Sequence, residues 1–471
     1  MRRTWLNRSW AVLAFAISVC MGGCIAQVEK YTAPNLILIT LDTTRRDHCS
    51  VYGYERGTTP NLAMLAEQGV RFDEAYAPMS VTGPTHASIF TSLYPVGHGV
   101  VKDALTLLGE HRTLAEILAE AGYQTSAVVS SFVLNGRFGY SQGFEAYDDE
   151  FGAANPTFTN ESWSDYLEDE GFERRAHQTT WRAVTWLNER RDRSHPFFLF
   201  VHYFDPHAPY VPPIPFAELY VDPNDRSEDL KYLIDLYDAE IAFTDWQVGV
   251  LLENLANLGL HENTLVVLVG DHGEGLMQHG YLLHGPNIYE EAVRVPLIVR
   301  WPGGIRSGQT LDGPVEMVDL TPTILDLLGV EPPLPPFQGR SLAAALRGEE
   351  VLDPEHPVFL HRRPYESRMM ETLPQYNPDG VDAIRVSGQK YGIRVGKWKY
   401  IVGVEEGTKE LFDLEADPRE QTNLYAKLPR RAAALASQLE SWRESHTSDG
   451  LAQVPVSDED RRRLQALGYV D

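Results

Sequence analysis

The sequence predicts an α/β protein with a mostly parallel, helix-covered central sheet and a smaller antiparallel-sheet subdomain toward the C-terminus. Three observations carry that expectation. The runs "NLILITLD" (35–42) and "PFFLFVHYF" (196–204) have the continuous apolar character of strands buried on both faces. Segments of helical period alternate with such runs, as crossover helices between parallel strands would. Near the C-terminus, "YGIRVGKWKYIVGVEEGTKELFDLEADP" breaks into three short strands at Gly-containing turns, which is hairpin chemistry.

The chain opens with Arg2, Arg3 and Arg8, then the apolar run "WAVLAFAISV" and "MGGC". This is the layout of a secretory signal, and the small residues before Cys24 resemble a bacterial lipobox. Residues 1–24 are therefore read as a lipoprotein signal with Cys24 as the lipid anchor. Localisation follows as the bacterial cell envelope, on the periplasmic side. Ile25, where an Asp would suggest inner-membrane retention, points to the outer membrane. The alternative is a short uncleaved anchor, although the run is short for a span of about 20 residues.

Residues 25–33 read as a tether and 34–345 as the main domain. Within it, "TPNLAMLAEQG" is a helix, "VRFDEAYA" a strand, and Pro84 to Leu93 a helix. "TLAEILAEAG" (113–122) is a helix closed by Gly122, followed by the strand "YQTSAVVS". A surface excursion is expected at about 145–172, and 228–258 forms a long helix. "TLVVLVGDHGE" (264–274) and "RVPLIVRWPG" (294–303) are two further buried strands. The Pro-rich stretch 329–341 marks a boundary or surface loop. A C-terminal subdomain (346–430), with a loop expected at 365–385, and a helical tail (431–471) complete the chain.

Composition narrows the function. The 471 residues are 43 % hydrophobic and 23 % charged, as in ordinary globular proteins. A net charge of −25 argues against nucleic acid, whose phosphates require clustered Lys and Arg. A small anionic substrate stays open, because a bound metal can make one cleft locally positive. Of the three cysteines, only Cys49 would remain unmodified in the mature chain, so no intrachain disulfide is expected.

Ligands of open α/β sheets bind at the carboxyl ends of the strands. Three strands here end in "LDTTRRD", "HYFDPHAPY" and "GDHGE". Asp42, Asp271 and His272 together supply two carboxylates and an imidazole, a reasonable set for one divalent ion. Thr82 of "SVTGPTHASIF" is a fourth candidate. At a helix N-terminus its oxygen would lie where free N–H groups favour negative charge. Alternatively, Thr82 is simply an N-cap, the usual work of a threonine there.

Together these segments resemble the sulfatase family of the alkaline phosphatase superfamily. The resemblance runs in order from "NLILITLDTTRRDHCSVYGYERGTTPNLAMLAEQGVRF" through "TGPTHASIFTSLYPVGHGV", "HYFDPHAPY", "GDHGE" and "YEEAVRVPLIVRWPGG" to "ELFDLEADPREQTNL". It implies an alkaline phosphatase-like sandwich and hydrolysis of anionic esters. Carried over position by position, it implies Asp42, Asp271 and His272 as metal ligands and Thr82 as both ligand and nucleophile. His207 and His284 match substrate-contacting positions, the latter often a lysine in the family.

Two departures redirect the chemistry. The family's nucleophile is a Cys or Ser followed by Pro and then Arg, and it is oxidised to formylglycine. Here the pattern is Thr82-Gly83-Pro84-Thr85-His86, so no formylglycine is expected and His86 stands at the arginine position. Thr43 stands where many members have a further metal-binding Asp. That shell suits Zn²⁺ or Mn²⁺ better than Ca²⁺, which stays possible. The expected catalytic set is Thr82, His207, His284 and His86. His98 and His279 read as helix-face or loop histidines. The expected activity is metal-dependent sulfuric ester hydrolysis. The alternatives are a phosphodiesterase or phosphonate hydrolase, a phosphoethanolamine-type transferase, and a surface lipoprotein that has lost turnover.

Overall fold

A computed structural model describes residues 33–151, 173–222, 229–331, 337–371 and 383–446. The lipobox segment with Cys24, most of the 145–172 excursion and the end of the C-terminal tail lie outside the described residues. No described helix is long and apolar enough to cross a membrane.

Eight strands build the main sheet: β1 (Asn35–Leu41), β2 (Val70–Tyr76), β3 (Gln124–Val128), β4 (Ala146–Asp148), β5 (Phe197–Tyr203), β6 (Thr264–Gly270), β7 (Arg294–Arg300) and β8 (Gln309–Glu316). Their order is β4-β3-β5-β1-β6-β7-β2-β8. The pairs from β4 to β6 are parallel, as is β2 with β8, and only β7 runs against its neighbours. The α/β class with a mostly parallel sheet is thus the observed one.

The apolar runs work as the strand period requires. Leu36 and Leu38 of β1, Phe198 and Phe200 of β5, and Leu265 and Val267 of β6 face one core. The helix Thr82–Thr91 covers that core with Ala87, Ile89 and Phe90. The intervening Ile37, Ile39, Leu199, Val201, Val266 and Leu268 face a second core. The helix Leu230–Asn257 covers this one through Phe243, Val248, Leu251 and Leu255. Three strands are wholly buried because helices cover both faces.

The smaller sheet has four antiparallel strands where the sequence suggests three: β9 (Val358–Glu371), β10 (Ala383–Val395), β11 (Trp398–Gly403) and β12 (Lys409–Asp413), in the order β12-β11-β10-β9. β9 escapes a sequence reading because "HRRPYESR" is polar and holds a proline. It also corrects the expected loop at 365–385, since the ends of that span are paired strand. The sheet docks on the main domain through Val358, Leu360, Ile401 and Phe412 against Tyr76, Ile288, Ala292 and Val293. The helix Pro429–His446 closes it with Ala432, Leu435, Leu439 and Trp442. β8 and β4 also go unread, β8 because Gly313-Pro314 resembles a turn and β4 because three residues carry no period.

His98 is enclosed by the fold. Val100 N–H donates to its Nδ1 (3.1 Å), and its Nε2 meets Ser88 Oγ at 3.0 Å. Burial depresses its pKa to about 3, and His361 is similarly held at about 4. Below pH 6.5 the unfolded chain protonates these two histidines and the folded chain does not, so their share of the stability falls on acidification. Buried carboxylates of raised pKa such as Glu240 and Glu316 act in the opposite sense. Each such histidine contributes about 1.4 kcal/mol per pH unit until its folded pKa is reached. Denaturant unfolding of the parent and of His98→Gln between pH 7 and 4.5 should differ in slope by one proton's worth, the variant losing less stability on acidification.

Candidate active site

β1 lies between β5 and β6 with Leu41 opposite Tyr203 and Gly270. That register brings the residues just beyond the strand ends together. Asp42 N–H donates to the Tyr203 carbonyl (2.9 Å), and Asp271 N–H donates to the Leu41 carbonyl (3.2 Å). Two carboxylates are thereby placed side by side, both fully buried.

The turn after β1 is strained to keep them there. Thr43 has φ +47°, unusual for a β-branched residue. That conformation lets Thr43 N–H donate to Asp271 Oδ1 (3.1 Å), which also accepts from His272 N–H (2.6 Å). Tyr237 pins the turn from the other side: its hydroxyl donates to the Thr43 carbonyl (2.6 Å) and accepts from Arg45 N–H (2.9 Å). Arg45 in turn donates to the Glu274 carbonyl and to Gln278.

Thr82 is the first residue of its helix rather than the cap. Val81 occupies the N-cap position, and no side chain caps the end. The Thr82 hydroxyl instead points at the carboxylates, with Oγ1 3.1 Å from His272 Nε2 and 3.5 Å from Asp42 Oδ1. The first-turn N–H of Gly83 donates to Asp103 Oδ1 (2.8 Å). A Cβ there would lie 2.9 Å from both Asp103 Oδ1 and Tyr140 Oη, so a larger residue would have to push one of these side-chain ends aside.

Each histidine's neighbours fix its role. His272 Nδ1 faces the Gly273 carbonyl (2.9 Å), which can only accept, so Nδ1 carries the proton and Nε2 turns a lone pair to Thr82. His86 has both nitrogens engaged: Nδ1 donates to the Thr82 carbonyl (2.8 Å), and Nε2 accepts from Thr40 Oγ1 (2.9 Å). It lies beneath the helix start, and burial depresses its pKa to about 4. His207 and His284 stand at the outer side, with ring centroids 4.8 Å apart and His284 4.7 Å from His272. Burial lowers the pKa of His207. Burial also opposes charge on His284, but Glu274 at 3.4 Å, with the more distant Asp103 and Asp271, together outweigh it and raise the pKa above the usual value. His98 lies in the core, as above, and His279 pairs with Glu291 at 2.7 Å.

The acidic pair is out of balance by itself. Burial, and then the charge of Asp271, raise the pKa of Asp42 well above the carboxylate range; burial raises that of Asp271 likewise. Asp42 Oδ2 and Asp271 Oδ2 are buried without a hydrogen-bond donor among the described residues. Such a pair fits a cation, and ligand atoms of Asp42, Asp271 and His272 lie within 4.8 Å of one another. A second group within that span, His86, His202 and Asp271, is less apt because the nitrogens of His86 are committed.

Sequence reasoning passes over Asp103, Glu274 and His202. Only His202 leaves a signal: a lone imidazole continuing the stripe Phe198, Phe200 of a buried strand needs a polar partner.

With this geometry in hand, comparison with known proteins is direct. The sequence model of the Sulfatase family matches residues 34–330, well over half of the chain. The chain belongs to the sulfatase family. The model of the N-sulphoglucosamine sulphohydrolase C-terminal region matches residues 278–445, which include the smaller sheet. Among relatives of this sulfatase-family hydrolase is an N-acetylglucosamine-6-O-sulfatase of Bacteroides thetaiotaomicron, 26 % identical over 85 % of this chain and 84 % of the relative. An arylsulfatase of Clostridium perfringens is 26 % identical over 90 % and 98 %. A protein solved with its substrate D-glucosamine-2-N,6-O-disulfate superposes with TM-score 0.71 at 23 % identity, covering 88 % of this chain and 99 % of that one. A phosphonate monoester hydrolase of Agrobacterium radiobacter gives 0.67 at 22 %, covering 90 % and 98 %. The sulfatases share the alkaline phosphatase-like fold expected from the sequence.

Asp271→Asn keeps an oxygen for the Thr43 and His272 N–H groups while removing one charge. The metal-free variant at pH 8 should be more stable than the parent, by about 1–3 kcal/mol. Stabilisation by added Mn²⁺ or Zn²⁺ should vanish. Differential scanning calorimetry with and without the ion reads both effects.

Proposed function

We propose that this sulfatase-family hydrolase cleaves its anionic ester by direct attack of Thr82 Oγ1, without a formylglycine. The observation that carries this reading is the Thr82 hydroxyl aimed between His272 Nε2 and Asp42 Oδ1 instead of capping its helix. Asp42, Asp271, His272 and Thr82 would hold one divalent ion, with Zn²⁺ or Mn²⁺ preferred over Ca²⁺. Such an ion supplies charge neutralisation and lowers the pKa of a nearby hydroxyl.

The chain's own residues divide the remaining work. Thr82 Oγ1 bonds to the sulfur and releases its proton to solvent, while the bond from sulfur to the bridging ester oxygen breaks. His284, kept protonated by Glu274, gives a proton to the departing alcohol. His207 lies beside it, where an anionic oxygen would be oriented. His284 then takes a proton from water as that water attacks sulfur, breaking the Thr82 ester. Thr82 regains its proton from solvent, and sulfate leaves. His86 acts at one remove, fixing the Thr82 carbonyl and thus the first helical turn.

Phosphate and phosphonate esters form a second reading, with a phosphoethanolamine-type transfer as its variant. A threonine ester cannot expel its anion by collapsing to an aldehyde, so displacement must occur at the central atom, a course well suited to phosphorus. The relatives' substrates make sulfated amino sugars the first panel to assay. The envelope location, with a lipid at Cys24, belongs to the same proposal. Intact mass of the native protein and of Cys24→Ser tests it.

Thr82→Ala should lower kcat by about 10³-fold or more, while Thr82→Ser stays within about tenfold of the parent. Turnover of Thr82→Ala at the parent rate would rule out the nucleophile. Peptide mass spectrometry should find Thr82 unmodified at rest and carrying a sulfate or phosphate when turnover is quenched.

The pH profile addresses His284. Its raised pKa places the loss of the acidic form above pH 6.5, so kcat should decline on the alkaline side. His284→Gln should remove that decline together with most of the rate.

A further inference from the structure

The helix Thr82–Thr91 starts beside the acidic pair with few N–H groups to offer. Pro84 has none, Thr85 N–H is returned to the Val81 carbonyl (3.2 Å), and Gly83 N–H is taken by Asp103 Oδ1 (2.8 Å). The chain thus sets a carboxylate of its own where a helix start would favour a bound anion. Asp103 is buried, and Ala104 next to it has φ +61°, a left-handed backbone that few side chains adopt. Burial raises the pKa of Asp103 to about 6, so it is charged at pH 8.

That charge acts on Asp42, Asp271 and His284. Three further carboxylates surround Asp42: Asp271, Asp103 and Glu274. The positive groups acting on Asp103 are His284 and the buried Arg363 of β9. Burial keeps His86, His202, His207 and His272 neutral. With one divalent ion bound, four negative charges would meet four positive ones. Without Asp103 the same site would have one positive charge to spare.

We infer that Asp103 is a specificity-determining residue: its carboxylate claims the helix N–H that a substrate oxygen would use, and its charge restricts the site to singly charged esters. Sulfate monoesters, phosphate diesters and phosphonate monoesters meet that condition, whereas a phosphate monoester carries a second charge. The inference rests on the proposed divalent centre and on attack by Thr82. It divides the phosphorus reading, keeping diesters and phosphonate monoesters and rejecting phosphate monoesters.

The pair para-nitrophenyl phosphate and methyl para-nitrophenyl phosphate shares a leaving group and differs by one charge at pH 8, since a phosphate monoester loses its second proton at about pH 6. With Mn²⁺ supplied, kcat/KM on the two esters gives a diester-to-monoester ratio. In Asp103→Asn, whose amide oxygen still accepts from Gly83 N–H, this ratio should fall by about tenfold or more. An unchanged or raised ratio overturns the inference, because a purely structural loss would lower both rates together.

A second measurement needs no variant. Methyl phosphate and dimethyl phosphate, as competitive inhibitors of the parent at pH 8, differ by the same charge. Dimethyl phosphate should bind more tightly by about tenfold or more, although a cation alone would favour the double charge. Tighter binding of methyl phosphate overturns the inference while leaving Thr82 and the divalent centre standing. A parent that turns over no anionic ester removes the proposed function and the inference with it.

Discussion

Two carboxylates at the ends of neighbouring parallel strands are the constraint around which the rest is arranged. The β1–β6 register fixes Asp42 and Asp271 side by side, and one oxygen of each is buried without a donor among the described residues. Like charges so enclosed oppose folding, and much nearby structure serves to hold them. Backbone N–H groups of Thr43 and His272 are spent on one oxygen of Asp271. Thr43 adopts a left-handed backbone to do so, and Tyr237 grips the turn by two hydrogen bonds. Strain and repulsion concentrated at one point are what a cation-binding reaction centre would be expected to store.

By the resemblance read from the sequence, His86 stands at an Arg position and Thr82 at a Cys or Ser position, and the two departures make a coherent pair. An arginine would bring permanent positive charge beneath the helix start. His86 brings none, since burial keeps it neutral and both nitrogens are saturated. His86 therefore offers the two carboxylates no counter-charge, and a bound cation would be the group that supplies it.

Much of this was legible before any coordinates. Continuous apolar runs identified β1, β5 and β6 because burial on both faces erases alternation. The strand-end motifs led to Asp42, Asp271 and His272, since residues at the carboxyl ends of parallel strands share one rim. Other features depend on what sequence leaves out. Whether Thr82 caps its helix or faces the acids is decided by a single residue's offset at the helix start. His86 is expected in the catalytic set from its place in the family pattern, yet Thr40, 46 positions away, claims one of its nitrogens. β9 is polar enough to read as a loop, and its pairing with β10 is a tertiary fact.

The direction of β1 has a consequence for how the molecule is presented. The chain enters this strand at Asn35 and reaches the acidic pair immediately after Leu41, roughly 23 Å along at about 3.3 Å per residue. The carbonyl of Ala33 is held by Asn263 at the entry end. Anything that restrains the protein through residues before Asn35 thus pulls on the end of the sheet remote from Thr82.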